Sequence, residues 1–253
     1  RQAWKNYKDT KAFFTKHKEY AIIHVHANAL IYISALFLAK RTGIPCRVMH
    51  SHNTQARKPL YRLIHEWHKL FIDSLASTHL ACSEAAGEWM FKGHNYKVIN
   101  NGIDVKEYLY NKTDREEIRK EFQLDGKFVV GHVGRFLHSK NHTFLLDTFA
   151  EIHKQNERAV LLLIGTGLLE ESIREQVHQL RLEDAVIFAG VRNDVGKMLQ
   201  AMDVFLFPSL FEGLGIVAVE AQAAGLHTIV SAAVPKEAFL TELIEAIPLN
   251  ATK

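Results

Sequence analysis

Hydrophobic positions along this chain alternate between short continuous runs and stretches of helical spacing. Residues 21–26 (AIIHVH) read as a strand, and 28–40 as a helix closed by Gly43 and Pro45. Residues 47–50 (RVMH) form a second strand, and 59–74 a helix carried by the spacing of Leu63, Trp67, Leu70 and Phe71. A short strand at 78–81 leads to Ser83, an N-cap for a helix from Glu84, because a serine hydroxyl there accepts an orphan backbone N–H. A strand at 97–99 closes on Asn100-Asn101-Gly102, a turn signal. The pattern then restarts. Residues 104–123 are charged and locally helical, a joint between two lobes. Five apolar runs follow at 128–133, 160–164, 186–188, 204–207 and 228–230, each ahead of a helical stretch. Continuous apolar strands separated by helices bury both faces of a sheet, which predicts parallel sheets. The expected fold is α/β, two Rossmann-like lobes with parallel sheets, divided as 1–107 and 108–253.

Composition narrows the class. With 47% hydrophobic and 23% charged residues in 253, the chain is neither disordered, collagenous nor a coiled coil. Cys46 and Cys82 are the sole cysteines, so disulfides do not hold the fold and a reducing compartment is expected. A net charge of +3 conceals an asymmetry: residues 1–107 carry 16 Lys and Arg against 8 Asp and Glu, and the remainder 15 against 20. The opening segment is the most basic, with Trp4, Phe13 and Phe14 among its lysines, a composition that suits an anionic membrane surface. No aromatic-basic pattern recurs that would suit nucleic acid. The most apolar window, 21–39, contains His24, His26 and Asn28, and its clean run from 30 to 39 is about half the roughly 20 residues a spanning helix needs. A cytoplasmic location at the inner membrane face is expected.

Ligands of doubly wound sheets bind at the carboxyl ends of the strands, so the residues after each run carry the candidate chemistry. Gly134-Arg135 and Lys140-Asn141 follow the 128–133 run: a glycine that lets a phosphate approach the backbone, and two cations bracketing a helix start. Gly165-Thr166-Gly167 is half of a dinucleotide fingerprint or a tight turn. After 204–207, Glu212 precedes a glycine-rich turn, Gly213-Leu214-Gly215, and Glu220 lies eight residues further on, in a helix whose neighbours are small or apolar. Eight residues at helical rise span about 12 Å, the reach from sugar to ribose in a nucleotide sugar. Two carboxylates would then grip hydroxyls at opposite ends of one ligand while backbone N–H groups face its diphosphate.

This ordered set, with Asn101-Gly102-Ile103-Asp104 upstream, resembles glycosyltransferase family four over roughly residues 20–249. The family comprises retaining, nucleotide-sugar-dependent enzymes of two-lobed GT-B architecture. Residues 221–226 and Pro235-Lys236-Glu237 resemble its exopolysaccharide and capsule branch. The resemblance implies a hexosyltransferase that uses a nucleotide sugar, UDP-linked in expectation, and a saccharide or lipid-linked acceptor. Arg135, Lys140 and Gly134 would meet the diphosphate. Glu212 would contact the sugar, with Gly213, Leu214 and Gly215 offering amides, and Glu220 would hold the ribose. His26 matches the family's strand-end histidine beside the reacting sugar. No metal or other cofactor is expected, because the chain has no Asp-x-Asp and the cations take the metal's electrostatic role.

Two other readings stay open. His24/His26 and His50/His52 are H-x-H pairs whose rings share a strand face, a pattern that binds zinc in some hydrolases. The resemblance also implies a glycine-rich loop before residue 20 and a closing helix after residue 249. On that basis the chain is cut at both ends, its N-terminal lobe is incomplete, and it binds nucleotide sugars without turning them over.

Overall fold

The alternating apolar runs build two parallel sheets in a computed structural model that describes residues 2–56 and 58–249. The chain separates into two compact units between Asn101 and Gly102.

The first unit runs α1 (Gln2–Lys16), β1 (Ile22–Ala27), α2 (Ser34–Arg41), β2 (Cys46–Ser51), α3 (Pro59–Lys69), α4 (Ile72–Leu75), β3 (Thr78–Ala81), α5 (Glu84–Phe91) and β4 (Lys97–Val98). Its strands pair in the order β1-β2-β3-β4. Leu30, Leu36, Met49, Ile72, Met90 and Phe91 form its core. The Ser83 hydroxyl caps α5 by accepting the Ala86 N–H at 3.2 Å, as expected. Both cysteines are free thiols.

Two helices depart from the sequence reading. Residues 28–33 were expected inside a helix but form turns, because side chains from elsewhere capture their backbone. His65 Nδ1 accepts the Leu30 N–H at 3.0 Å, His68 donates to the Leu30 carbonyl, and Trp89 Nε1 donates to the Asn28 carbonyl at 3.0 Å. The helix expected over 59–74 breaks at Leu70 and Phe71 into α3 and α4. The apolar stripe of α3 and its C-cap also faces outward: Leu63, Trp67 and the capping Leu70 are 68%, 59% and 73% exposed, while His65 is fully buried. Helical spacing identifies a face but not its direction, and here the imidazole that serves Leu30 and Trp89 turns inward.

The second unit runs α6 (Lys112–Glu121), β5 (Phe128–Val133), α7 (His142–Gln155), β6 (Ala159–Ile164), α8 (Glu170–Gln179), β7 (Val186–Gly190), α9 (Val195–Gln200), β8 (Val204–Phe207), α10 (Ile216–Ala223), β9 (His227–Ser231) and β10 (Ile244–Ile247). Its sheet has the order β10-β9-β8-β5-β6-β7. β6 is buried at every position, and Leu161 and Leu163 pack with Leu145, Phe149 and Ile173 from the covering helices. Each such fully buried leucine contributes about 1.5–3 kcal/mol.

The boundary lies earlier than the expected division after 107, and the charged joint belongs to the second unit. Arg115 and Arg119 of α6 reach Asp203 at 2.6 and 3.4 Å, and Asp203 accepts the Val129 N–H at 2.7 Å. Among the described residues, no helix is long and apolar enough to cross a membrane.

Candidate functional site

Polar chemistry in the second unit gathers where the strand order reverses. β5 pairs with β8, yet the chain visits β6 and β7 before returning to β8 on the other side. Loops leaving these two neighbours therefore diverge and leave a crevice at their carboxyl ends. A cavity of about 470 Å³ opens there, within the roughly 300–1,000 Å³ of small-molecule sites. Gly134 and Arg135 line it from the β5 loop, Lys140 from the turn before α7, and Glu212, Gly215 and Glu220 from the β8 loop and α10.

Those six residues were named from the sequence, and the fold brings them together. Gly213 and Leu214 are buried and are not among the residues lining the cavity, whereas Gly215, Ile216 and Val217 are. The spacing of the two acids also differs from expectation in its cause: α10 begins only at Ile216, so helical rise covers half of the interval from Glu212 to Glu220. Gly215 supplies the bend. Its φ of +81° lies in the left-handed region, and a Cβ there would meet Phe207 at 3.2 Å. No side chain caps the first turn of α10, so that helix end keeps its attraction for an anion.

The charges are paired across the cavity. Lys140 Nζ donates to Glu212 Oε1 at 2.6 Å, with only 19% and 13% of the two side chains exposed, and sits 4.5 Å from the Phe207 ring centre. Leu210 N–H donates to the Ser139 carbonyl at 2.8 Å, which ties the two loops together. Arg135 is exposed and forms no ion pair among the described residues. Burial holds the Glu220 carboxyl above the usual carboxylate range, opposed by a hydrogen bond from Tyr108. The Tyr108 hydroxyl is in turn pushed up to about 12, by burial first and then by the Glu220 charge.

Tyr108 and Asn193 also line the cavity and were not named from the sequence. Nothing local marks Tyr108, because its placement depends on Gln200, 92 residues away: Gln200 Nε2 donates to the Tyr108 carbonyl at 3.0 Å, and its Oε1 accepts the Asn111 N–H at 3.1 Å. Gly165 and Gly167 resolve as close-packing positions. Neither lines the cavity, and a Cβ on them would stand 2.1 Å from the Gly134 carbonyl oxygen and 2.5 Å from that of Phe136. They support the cationic loop from below. His132 is fully buried beneath it, donating from Nδ1 to the Leu206 carbonyl at 2.9 Å and so joining β5 to β8. Burial, then His142 and Lys140, lower its pKa to about 3. A second cavity of the unit, about 270 Å³, is lined by apolar residues such as Phe144, Ile229 and Ile247, with Glu151 as its one charged group. It lacks cations for a phosphate.

His26 lies in the first unit, at the end of β1. There His24 Nε2 and His50 Nδ1 are 3.2 Å apart, and His26 Nδ1 and His52 Nε2 are 2.7 Å apart. Burial, then the neighbouring imidazoles, lower the pKa of His50 to about 4 and lower those of His24 and His52 as well.

Comparisons with known proteins also divide the chain in two, the first match ending at 107, as expected from the sequence, rather than at the boundary between the compact units. Residues 114–240 match the model of glycosyl transferases group 1, and residues 1–107 that of glycosyltransferase family 4. The chain is 34% identical over 224 residues to the putative glycosyltransferase EpsF of Bacillus subtilis, covering 84% of this chain and 57% of that protein. It is 27% identical over 243 residues to the UDP-Gal:alpha-D-GlcNAc-diphosphoundecaprenol alpha-1,3-galactosyltransferase of Escherichia coli, covering 88% and 62%. Anabaena HepE, solved with UDP-glucose, superimposes with a TM-score of 0.80 at 23% identity, over 94% of this chain and 68% of that one. The chain thus spans about three fifths of the length of the two curated relatives.

Proposed function

The chain belongs to the glycosyl transferases group 1 family, and from that premise we propose that its protein transfers a hexosyl group from a UDP-linked sugar to a saccharide or lipid-linked acceptor, with retention, in polysaccharide synthesis. One observation carries this reading: two cations, three carboxylates (Glu107, Glu212 and Glu220) and a helix N-terminus line a single cavity at the switch point of the second sheet. Those groups suit a nucleoside diphosphate sugar, which has an anionic middle and hydroxyls at both ends. In the reaction the bond from the anomeric carbon to the diphosphate oxygen breaks, the acceptor hydroxyl oxygen bonds to that carbon, and the hydroxyl proton leaves with the diphosphate.

Arg135 and Lys140 stabilise the charge that develops on the departing diphosphate, together with the amides of the first α10 turn. Lys140 is held by Glu212 at 2.6 Å. A diphosphate competes for that ammonium and releases Glu212 toward the sugar hydroxyls. Glu220, positioned by Tyr108, takes the ribose hydroxyls. His26 polarises a sugar hydroxyl. The cationic pair performs the neutralisation that a metal performs elsewhere, so UDP binding persists in chelator. Support for the donor comes from the UDP-glucose bound by HepE and the UDP-Gal named for the E. coli relative. Support for the acceptor comes from the diphosphoundecaprenol-linked saccharides named for the E. coli and Campylobacter jejuni relatives.

A lipid-linked acceptor suits the first unit. Its α3 presents Leu63 and Trp67 to solvent, followed by Leu70 at the C-cap, with Lys58 and Arg62 exposed alongside. Such a face enters the headgroup region of an anionic cytoplasmic leaflet. Sedimentation with anionic vesicles, reduced by Trp67→Glu, tests the contact.

The decisive experiment is a thermal-shift panel of UDP-, GDP- and ADP-sugars with chelator present, followed by NMR of the anomeric proton in the product. The reading expects a shift with UDP-sugars and an unchanged anomeric configuration. A shift with none of the panel overturns the donor assignment.

A further inference from the structure

The end of the β1–β2 pair carries a second cluster whose chemistry differs from the donor cavity. His26 stands directly opposite His50 in the parallel register. With His24 two residues before one and His52 two after the other, period-two alternation puts all four imidazoles on one sheet face. Neighbouring ring centres lie 4.1–5.3 Å apart around the group. None of the four pairs with a carboxylate among the described residues; their side-chain hydrogen bonds are to one another. His50 is 6% exposed, and its Nε2 has no partner.

We propose that His24, His26 and His50 form a binding site for a divalent transition ion of the zinc class, with His52 behind His26 as the group that orients it. One nitrogen from each of the three rings lies within 4.8 Å of the others. His24 Nε2 and His50 Nδ1 are 3.2 Å apart, close to the about 3.3 Å between two nitrogens that each sit about 2.0–2.1 Å from a tetrahedral zinc. His26 bonds through Nδ1 to His52 at 2.7 Å, which leaves Nε2 for the ion, the arrangement in which a ligating imidazole is oriented through its other nitrogen. A neutral set of nitrogens suits zinc, cobalt, nickel or copper and not magnesium or calcium, which take oxygen ligands. Three ligands leave a fourth position for water or a sugar hydroxyl. The inference is independent of the donor-site reading. It competes only with the direct role given to His26, since a ring that ligates an ion does not also polarise a sugar hydroxyl.

The test is a titration of the purified, metal-free protein with Co²⁺, followed by its visible ligand-field absorption and then by displacement with Zn²⁺. One Co²⁺ per chain with a tetrahedral band that zinc abolishes is expected. His52→Ala should weaken binding by about 10- to 100-fold, and His24→Ala by more. His24 is exposed, so its replacement leaves the fold intact, which circular dichroism checks. His178→Ala, an exposed histidine of the other unit, should change nothing. Absence of a band in the folded protein, or a band that survives His24→Ala unchanged, overturns the site.

Discussion

Both units place polar side chains at the carboxyl ends of parallel strands, and the two sets share almost nothing chemically. In the second unit a lysine and a glutamate are 2.6 Å apart, with an arginine and two further glutamates on the same cavity. In the first, four imidazoles face one another, with no carboxylate paired to them among the described residues. The scaffold fixes where a site forms; the residues placed there fix what it holds. Opposite charges around a helix N-terminus suit a long ligand with an anionic middle and hydroxyls at its ends. A neutral nitrogen cluster suits a compact Lewis acid or a single hydroxyl.

The comparison breaks most severely if the cationic loop loses its support. Gly165→Val places a Cβ 2.1 Å from the Gly134 carbonyl oxygen, at a φ of +132°. Strain and overpacking together should cost about 4 kcal/mol, read as a lower denaturation midpoint of the second unit and loss of UDP binding. A wild-type midpoint would mean that the β6 loop does not carry the cationic one.

Acid should act next. His132 and His142 have pKa values of about 3 and about 4 against an ordinary 6.5, by burial first. The unfolded chain therefore takes up protons before the folded one does. Stability present above pH 6.5 should fall by about 1.4 kcal/mol per pH unit for each imidazole as pH drops toward those values. Urea unfolding at a series of pH values measures the slope, and a flat profile between neutrality and pH 5 contradicts it.

Smaller effects separate the ends of the donor. Arg135→Ala should weaken UDP by about 10-fold, from one lost charge-assisted contact, and leave uridine unchanged; equal losses would remove Arg135 from the diphosphate. Tyr108→Phe should weaken UDP by a few fold, about 1 kcal/mol, because Glu220 loses the hydroxyl that positions it.

How much of this was legible in the sequence depended on how local the cause was. Strands β3, β5 and β8 (Thr78–Ala81, Phe128–Val133 and Val204–Phe207) match the expected runs at both ends, since a strand buried on both faces announces itself as continuous apolar residues. Ser83 was legible because a cap acts over three residues. The cavity was legible because Gly134, Arg135 and Glu212 follow strand ends and Glu220 lies in the helix after one, and ligands of a parallel sheet bind at those carboxyl ends. The turns at 28–33 were hidden, for they depend on His65, His68 and Trp89. Tyr108 was hidden for the same reason, being set by Gln200. The outward face of α3 shows the remaining gap: periodicity gives amplitude, and only tertiary contacts give sign.

The account turns on whether Glu220 holds the ribose end of a nucleotide in the second unit. Calorimetric titration of UDP into the wild-type protein and Glu220→Ala measures this directly. Loss of two charge-assisted hydrogen bonds predicts affinity weaker by about 100-fold or more in the variant, with one site per chain in the wild type. Equal affinity in the two proteins would contradict the assignment of the cavity.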